Sequence, residues 1–476
     1  MNLYIRNHPY HYEMENLTRA FLFASPVRVL RDPDMLIEPY ILTCVSDDVS
    51  VELADGDFCR VLRCDRGEDD ELSMARLLYA LLSDYTGRTL PWGVLTGVRP
   101  VKLFSRLCDE RGVLGASAYF REQLLVSDEK IRLCERVRDA QRDVIARSSR
   151  RSFSLYVSIP FCPTRCSYCS FVSQSIEHAR GLIDDYLPCL LRELSYTASL
   201  ARALSLQLES VYIGGGTPTT LSAAALDTLL SAISADFDLS ACQEFTVEAG
   251  RPDTVTREKL DVLFRRGVTR ISINPQTFSD EVLETIGRRH TSRQTLDAFS
   301  LARDVPMNNI NMDLIAGLSG DTPDSFRRSV DTALSLSPES ITVHTLAIKR
   351  SARIDAASSA REFTATGEMV DYATRALTDA GYIPYYLYRQ SKMLSNLENI
   401  GWARDGYISP YNIYIMEETH SILACGAGGV TKLRDTGSNH IERIFNFKFP
   451  YEYIGRFDEM IARKSAVTAF YGEYNK

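Results

Sequence analysis

The 476-residue chain has no excess of basic charge: 54 lysines and arginines face 62 aspartates and glutamates, for a formal net charge of -8. That balance excludes a broad, non-specific nucleic-acid or anionic-membrane surface, while leaving room for a local basic patch. No apolar run approaches the roughly 18 residues that a spanning helix needs; charge or proline interrupts each one earlier. The opening residues, MNLYIRNHPYHYEME, lack a basic segment followed by an apolar one. No export leader is therefore expected, and a cytoplasmic location is. Disulfides are not expected either, because eleven cysteines is an odd number in a large chain without an export pattern. The composition that remains is that of an ordinary globular protein, 45% hydrophobic and 24% charged. It excludes disorder over the whole length and suffices for a sizeable core with one or two smaller appendages.

Most of the cysteines read as small apolar residues. Cys134 in EKIRLCERV and Cys189 in YLPCLLREL fall on apolar helical faces, and Cys59 and Cys64 flank the alternating stretch FCRVLRC. Cys162, Cys166 and Cys169 differ. They stand in SLYVSIPFCPTRCSYCSF, directly after a β-branched apolar run that reads as a buried strand. Pro160 and Pro163 end that strand and hold the following loop open. Three thiols this close in sequence converge on one object only if the chain curls around it. Structural zinc usually takes four protein ligands, and no further cysteine or histidine follows at finger-like spacing. Three thiolates suit an iron–sulfur cubane with one iron left open to an exogenous ligand; catalytic zinc with an open position is the alternative.

Residues 1–148 precede this loop as a small α+β domain, with alternating stretches MNLYIR and FCRVLRC and helical patterns in DELSMARLLYALLSDY and after Ser127. Trp92, Arg99 and Lys102 in this region are turn and domain-contact residues or face a substrate. From residue 153 the rhythm changes. Apolar strands at 154–159, 210–214, 244–249, 270–274, 309–315 and 341–346 alternate with amphipathic helices. Six such units predict an α/β fold, a partial (β/α)6 TIM-like barrel over residues 149–350, with active groups at the C-terminal ends of the strands. The cysteine loop follows the first strand, and the second runs into Gly214-Gly215-Gly216-Thr217-Pro218-Thr219, where backbone can approach a ligand closely. Glu248 ends the third strand, Gln276 follows the fourth and Asp313 lies in the fifth. Polar groups in such apolar surroundings need a compensating donor or charge, from a ligand or from salt bridges and caps within the barrel.

Residues 351–476 read as a C-terminal α+β extension packing on the barrel. Tyr385, Tyr386, Tyr388 and Arg389, with Asn396, Glu398 and Asn399 and the glycine-rich 426–429, suit a flat carboxylated ligand or, equally, a tyrosine-rich sheet against the barrel. The last segment, NHIERIFNFKFPYEYIGRFDEMIARKSAVTAF, reads as helical and as a cover for the barrel mouth.

The cysteine spacing, with an aromatic before the last thiol, resembles the cluster loop of the radical S-adenosylmethionine superfamily. The longer string YVSIPFCPTRCSYCSF resembles its oxygen-independent coproporphyrinogen III oxidase group. The N-terminal extension and the string PYYLYRQ…NLENIGWA…YNIYIMEE are similar to the coproporphyrinogen dehydrogenase HemZ subgroup, over nearly the whole chain. This resemblance implies the same partial barrel, one [4Fe-4S] cluster on Cys162, Cys166 and Cys169, and S-adenosyl-L-methionine on the open iron. It places Gly214, Gly215, Gly216 and Thr217 at the methionyl amino group, with Glu248 as that group's partner. Gln276 and Asp313 fall to the adenosine portion, Arg288 to the methionyl carboxylate, and Tyr156 beside the cluster and its ligand. The implied reaction converts coproporphyrinogen III to protoporphyrinogen IX by oxidative decarboxylation of propionates, through a 5'-deoxyadenosyl radical. A reduced flavodoxin- or ferredoxin-type protein is the implied electron donor, and the substrate is a small tetrapyrrole rather than a nucleic acid. One position departs: Phe171 stands where the best characterised oxidases have a fourth cysteine. Phenylalanine there resembles the broader group that includes haem chaperones. A haem-binding role, or radical chemistry on another tetrapyrrole or an unrelated substrate, is therefore the alternative.

Overall fold

The computed structural model describes residues 1–23, 25–32, 34–169, 173–347, 359–390, 396–438 and 440–474. Phe171 lies outside the described residues. Alternating apolar positions build a first sheet from β1 (Asn2–Arg6), β2 (Arg28–Arg31), β3 (Tyr40–Val45), β4 (Asp48–Asp55) and β5 (Phe58–Asp65), in the order β2-β1-β3-β4-β5. Along β4, Val49, Val51 and Leu53 are fully buried while Asp48, Ser50 and Glu52 beside them are half-exposed, the period-two signature of a sheet covered on one face. Helices α1 (His11–Phe21) and α2 (Asp70–Thr86) pack together there, α2 against β4. Then α3 (Pro100–Glu122) and α4 (Asp128–Arg147) lead into the barrel, α4 starting where the Ser127 hydroxyl accepts from Lys130 N–H.

Six parallel strands follow in spatial and chain order: β6 (Ser152–Ile159), then, after two-residue strands β7 (Phe161–Cys162) and β8 (Gln174–Ser175), β9 (Gln207–Gly215), β10 (Glu244–Glu248), β11 (Arg270–Ser272), β12 (Ile310–Ala316) and β13 (Ser340–Thr345). The intervening helices are α5 (Ile176–Ala203), α6 (Ala223–Asp236), α7 (Arg257–Arg265), α8 (Asp280–Thr285), α9 (Ser292–Asp304), α10 (Pro323–Leu336) and α11 (Ser359–Asp379). Local chemistry sets where they begin. Ser175, Ser222, Thr256, Ser279, Thr291 and Thr322 each cap the following helix through a side-chain oxygen, and Thr291 completes a capping box with Gln294. The result is the expected partial (β/α)6 arrangement.

The C-terminal segment extends both edges of this sheet instead of closing it. On one side, antiparallel β15 (Asn399–Ala403) pairs with β13 and with β14 (Ile383–Tyr388). On the other, β16 (Ser421–Cys425) runs parallel to β6 and is followed by antiparallel β17 (Val430–Arg434) and β18 (Ile441–Phe445), with α12 (Pro410–Glu417) leading in. The final segment departs from its sequence expectation in two ways. IERIF is strand β18 and not helix, because β17 offers it an open edge to pair with. Helices α13 (Pro450–Gly455) and α14 (Phe457–Arg463) pack on α5, outside the barrel, where Tyr453 donates to Glu193; α15 (Ser465–Tyr474) follows them. They do not cover the mouth. Among the described residues no helix is long and apolar enough to cross a membrane.

Candidate active site

The loop after β6 is held from several sides. Gln174 N–H donates to Pro160 C=O at 2.8 Å, Ser167 N–H to Ile286 C=O at 3.0 Å, and Thr217 N–H to Phe161 C=O at 2.7 Å. Arg251, itself buried and paired with Asp253, donates to the Thr164 hydroxyl at 3.1 Å. Cys162, Cys166 and Cys169 all line one cavity of about 340 Å³ at the C-terminal ends of the strands. Among the described residues no three His, Cys, Asp or Glu side chains are drawn close enough to hold a metal ion, so the thiols share a wall and not a closed cage.

The glycine segment closes on this loop. A Cβ on Gly216 would lie 2.6 Å from Phe161 C=O and 3.0 Å from Cys162 Sγ, so only glycine fits between strand end and thiol. Gly215, Gly216 and Thr217 line the cavity, and the Thr217 hydroxyl lies 3.5 Å from Cys162 Sγ. Gly214 stands one layer behind, beneath the Glu248 carboxylate. Tyr156 does not line the cavity either: its ring stacks on Tyr212, centroids 6.3 Å apart. Tyr212 in turn donates to Glu248 Oε1 at 2.5 Å.

Glu248, Gln276, Arg288 and Asp313 all reach the same cavity. Burial lifts the Glu248 carboxyl to about 7; the Tyr212 hydrogen bond opposes this and the Asp313 charge adds to it. Burial also disfavours ionised Asp313, but His344 and Asn311 outweigh it and hold that carboxyl below its ordinary value. Asn311 donates to Asp313 at 2.7 Å, and His344 lies 3.7 Å away. Gln276 has a left-handed backbone (φ 67°), and its N–H donates to Asp313 C=O at 2.9 Å. Buried Arg288 donates to Asn274 C=O at 2.6 Å and interacts with Tyr168 and Cys166, which keep its guanidinium charged against the cost of burial.

Further lining residues were not singled out from the sequence: Tyr212, Arg270, Ser272, Asn274, Asn311 and His344. Their signal was nevertheless present. In RISIN, NMDLI and TVHT the polar residues recur at every second position of apolar strands, and that parity faces the lumen. Across the sheet, Glu248 pairs with Ser272 and Ser272 with Asn311, forming one polar row.

The tyrosine-rich segment divides. Tyr386, Tyr388 and Asn399 line the lumen, the Tyr386 ring lying where any Cβ on Gly401 would sit. Tyr385, packed in the same apolar cluster as Tyr386, Ala403 and Ile413, does not line the cavity and accepts from Asn412. Arg389 turns away from the cavity to Leu95 C=O, Gly97 C=O and Asn396, and Glu398 accepts from Trp92 and Lys130, both at 2.7 Å. Trp92 is thus a buried contact residue, and Arg99 and Lys102 pair with Glu418.

A parallel barrel with thiols and a glycine turn at its C-terminal rim defines the class in question. Residues 156–333 match the Radical SAM superfamily model. The chain is 39% identical over 393 residues to the oxygen-independent coproporphyrinogen-III oxidase-like protein HemZ of Bacillus subtilis (strain 168), covering 81% of this chain and 78% of that protein. It is 31% identical over 286 residues to the heme chaperone HemW of Escherichia coli (strain K12), covering 59% of this chain and 71% of the relative. Among solved structures, coproporphyrinogen III oxidase (HemN) from Escherichia coli, described as a radical SAM enzyme, matches with TM-score 0.53 at 23% identity, over 68% of this chain and 73% of that one. The chain belongs to the radical SAM superfamily, in its oxygen-independent coproporphyrinogen-III oxidase-like group.

Members of this superfamily use a [4Fe-4S] cluster and S-adenosylmethionine. The donor set fits such groups. Three thiols face one cavity, and Arg288 Nε, Asn274 Oδ1 and Ser272 Oγ are buried on its wall with no partner in the chain.

Proposed function

We propose that this chain catalyses the oxygen-independent oxidative decarboxylation of coproporphyrinogen III to protoporphyrinogen IX. The observation that carries this reading is one continuous lumen, running from the three thiols and residues 215–217 at the rim, past Glu248 and Asp313, to Tyr386, Tyr388 and buried Arg270. The likeness to the HemZ relative supports it. When bound, the reduced cluster with S-adenosylmethionine supplies a carbon radical able to take hydrogen from an unactivated carbon.

In this reading Cys162, Cys166 and Cys169 hold the cluster. Glu248 and the backbone of residues 214–217 receive the methionyl ammonium, Arg288 the methionyl carboxylate, and Gln276 and Asp313 the adenosine portion. Tyr156 supports the site through Tyr212. Glu248 gives up its proton as an ammonium arrives, since a cation at its side reverses the effect of burial. Asp313 is held ready as an acceptor by His344 and Asn311. The remaining contribution of the chain is orientation and the exclusion of water. A reduced flavodoxin- or ferredoxin-type protein in the cytoplasm is the electron donor of this proposal.

The test is anaerobic reconstitution followed by incubation with coproporphyrinogen III, reductant and S-adenosylmethionine. Stepwise mass loss at two propionates, with 5'-deoxyadenosine formed alongside, is the expected result. The HemW likeness favours a second reading, a haem-binding protein that keeps the cluster. Stoichiometric haem uptake with no decarboxylated product would replace the first reading with the second.

A further inference from the structure

Arg270 opens β11 and therefore sits at the N-terminal end of the strands, the floor of the lumen, far from the cysteine loop at the rim. It is 1% exposed. Its Nη2 donates to Ser340 Oγ at 3.3 Å, while its Nε is buried with no partner. Among the described residues no carboxylate lies within ion-pair distance of it. Glu244, the acid nearby on β10, accepts instead from Ser409 at 3.0 Å. Glu244, Glu248 and Asp313 act on the charge of this buried guanidinium only from farther off, and its Nε stays an unmet donor that an incoming carboxylate satisfies.

The same strand continues the pattern upward. Ser272 Oγ and Asn274 Oδ1 are also buried and unpartnered, and they share Arg270's parity and the cavity wall. The three make a polar column of roughly 13 Å from floor to rim. Tyr386 and Tyr388, rings 6.2 Å apart and 9° from parallel, contribute a flat wall to the same lumen. The anion that suits this place is planar and singly charged. A guanidinium fork matches a carboxylate with two hydrogen bonds, whereas a doubly charged phosphate would meet Asp313 and Glu248 in the same lumen.

We propose that Arg270 seats a substrate carboxylate at the lumen floor, carried on a short flexible arm such as a propionate, so that the rest of the substrate stands toward the rim. The proposal rests on the reading of the lumen as the substrate chamber, but it does not require a tetrapyrrole. Arg270 is a specificity residue here, binding the end of the substrate remote from the reacting carbon.

The probes are propionate, neutral propionamide and inorganic phosphate, titrated against the cluster-reconstituted full chain by calorimetry and thermal unfolding. Propionate should bind and raise the melting temperature, and the other two should not. Arg270→Met should weaken propionate at least tenfold. Arg270→Lys keeps the charge without the fork and should bind propionate at least threefold more weakly; it decides the matter if the methionine variant does not fold. Absence of a propionate response in the wild type, or an equal response in the variants, overturns the proposal. Turnover of coproporphyrinogen III is followed in parallel. Turnover with KM unchanged in the Arg270 variants overturns the carboxylate seat and leaves the decarboxylase reading standing. A propionate response lost in the variants, without any turnover by the wild type, leaves the seat standing and removes the tetrapyrrole.

Discussion

At Glu248, burial outweighs the Tyr212 hydrogen bond and, with the Asp313 charge, holds the carboxyl at about 7 against an ordinary 4.5. The folded chain therefore keeps a proton that the unfolded chain has released between those two values. The stability contributed by this group is complete at the acid end of the window and is lost as pH rises toward 7, by at most about 1.4 kcal/mol per pH unit. Glu248→Gln should remove that slope from denaturant midpoints measured across the window. Ligand binding should run the other way. An ammonium needs the carboxylate, so S-adenosylmethionine affinity should rise with pH and level off above about 7, with a proton released below that point. Glu248→Gln should abolish the pH dependence and cost about 1.5–3 kcal/mol of binding, the range for a hydrogen bond to a charged group. Equilibrium dialysis at several pH values checks both.

The cysteine loop and the glycine turn act as one element, because Gly216 is wedged between Phe161 and Cys162. Gly216→Ala should push the loop outward, costing about 1–3 kcal/mol as an overpacked site does, and should lower the iron and sulfide content after reconstitution to below half of wild type. Gly67→Ala, with open space around it, is the control and should change neither. This element was legible in the sequence because everything that builds it is local: prolines end the strand, glycines admit close approach, and serine or threonine starts each following helix. The strands were legible from their β-branched runs. Strand β18 was not, since IERIF carries a pattern that either a helix or a strand can use, and only the free edge of β17 selects the strand.

Over the whole molecule, the N-terminal region is tied to the C-terminal segment through a fully buried ion pair, Lys130 to Glu398 at 2.7 Å, with Trp92 donating to the same carboxylate. One residue further, Asn399 accepts from Thr345 N–H, and both of these residues line the lumen. We propose that residues 1–148, 149–350 and 351–476 are separate units by sequence that are coupled at this point. Lys130→Met leaves an unpaired buried carboxylate and should cost about 3–5 kcal/mol, whereas Lys130→Met with Glu398→Leu should recover much of that loss. Denaturant unfolding followed by tryptophan fluorescence and by far-ultraviolet circular dichroism measures it. Coincident transitions in the wild type and separated ones in Lys130→Met are expected.

By itself the sequence determined the order of the six barrel strands, the place of the thiols after the first of them and the family resemblance, because each depends on neighbours within a few residues. It also held the lumen's polar parity, in alternations such as Arg270, Ser272 and Asn274, although not which groups would meet there. The tertiary structure alone decided that Tyr386 faces the lumen while Tyr385 does not, that Arg389 bonds to the N-terminal region, and that Tyr156 stacks on Tyr212. It also decided that Glu248 holds its proton near neutrality and that Arg270 lies buried with its Nε unpartnered. The physical reason is that burial and charge pairing are set by groups tens to hundreds of residues away, brought together only when the sheet's edges are extended and the lumen is enclosed.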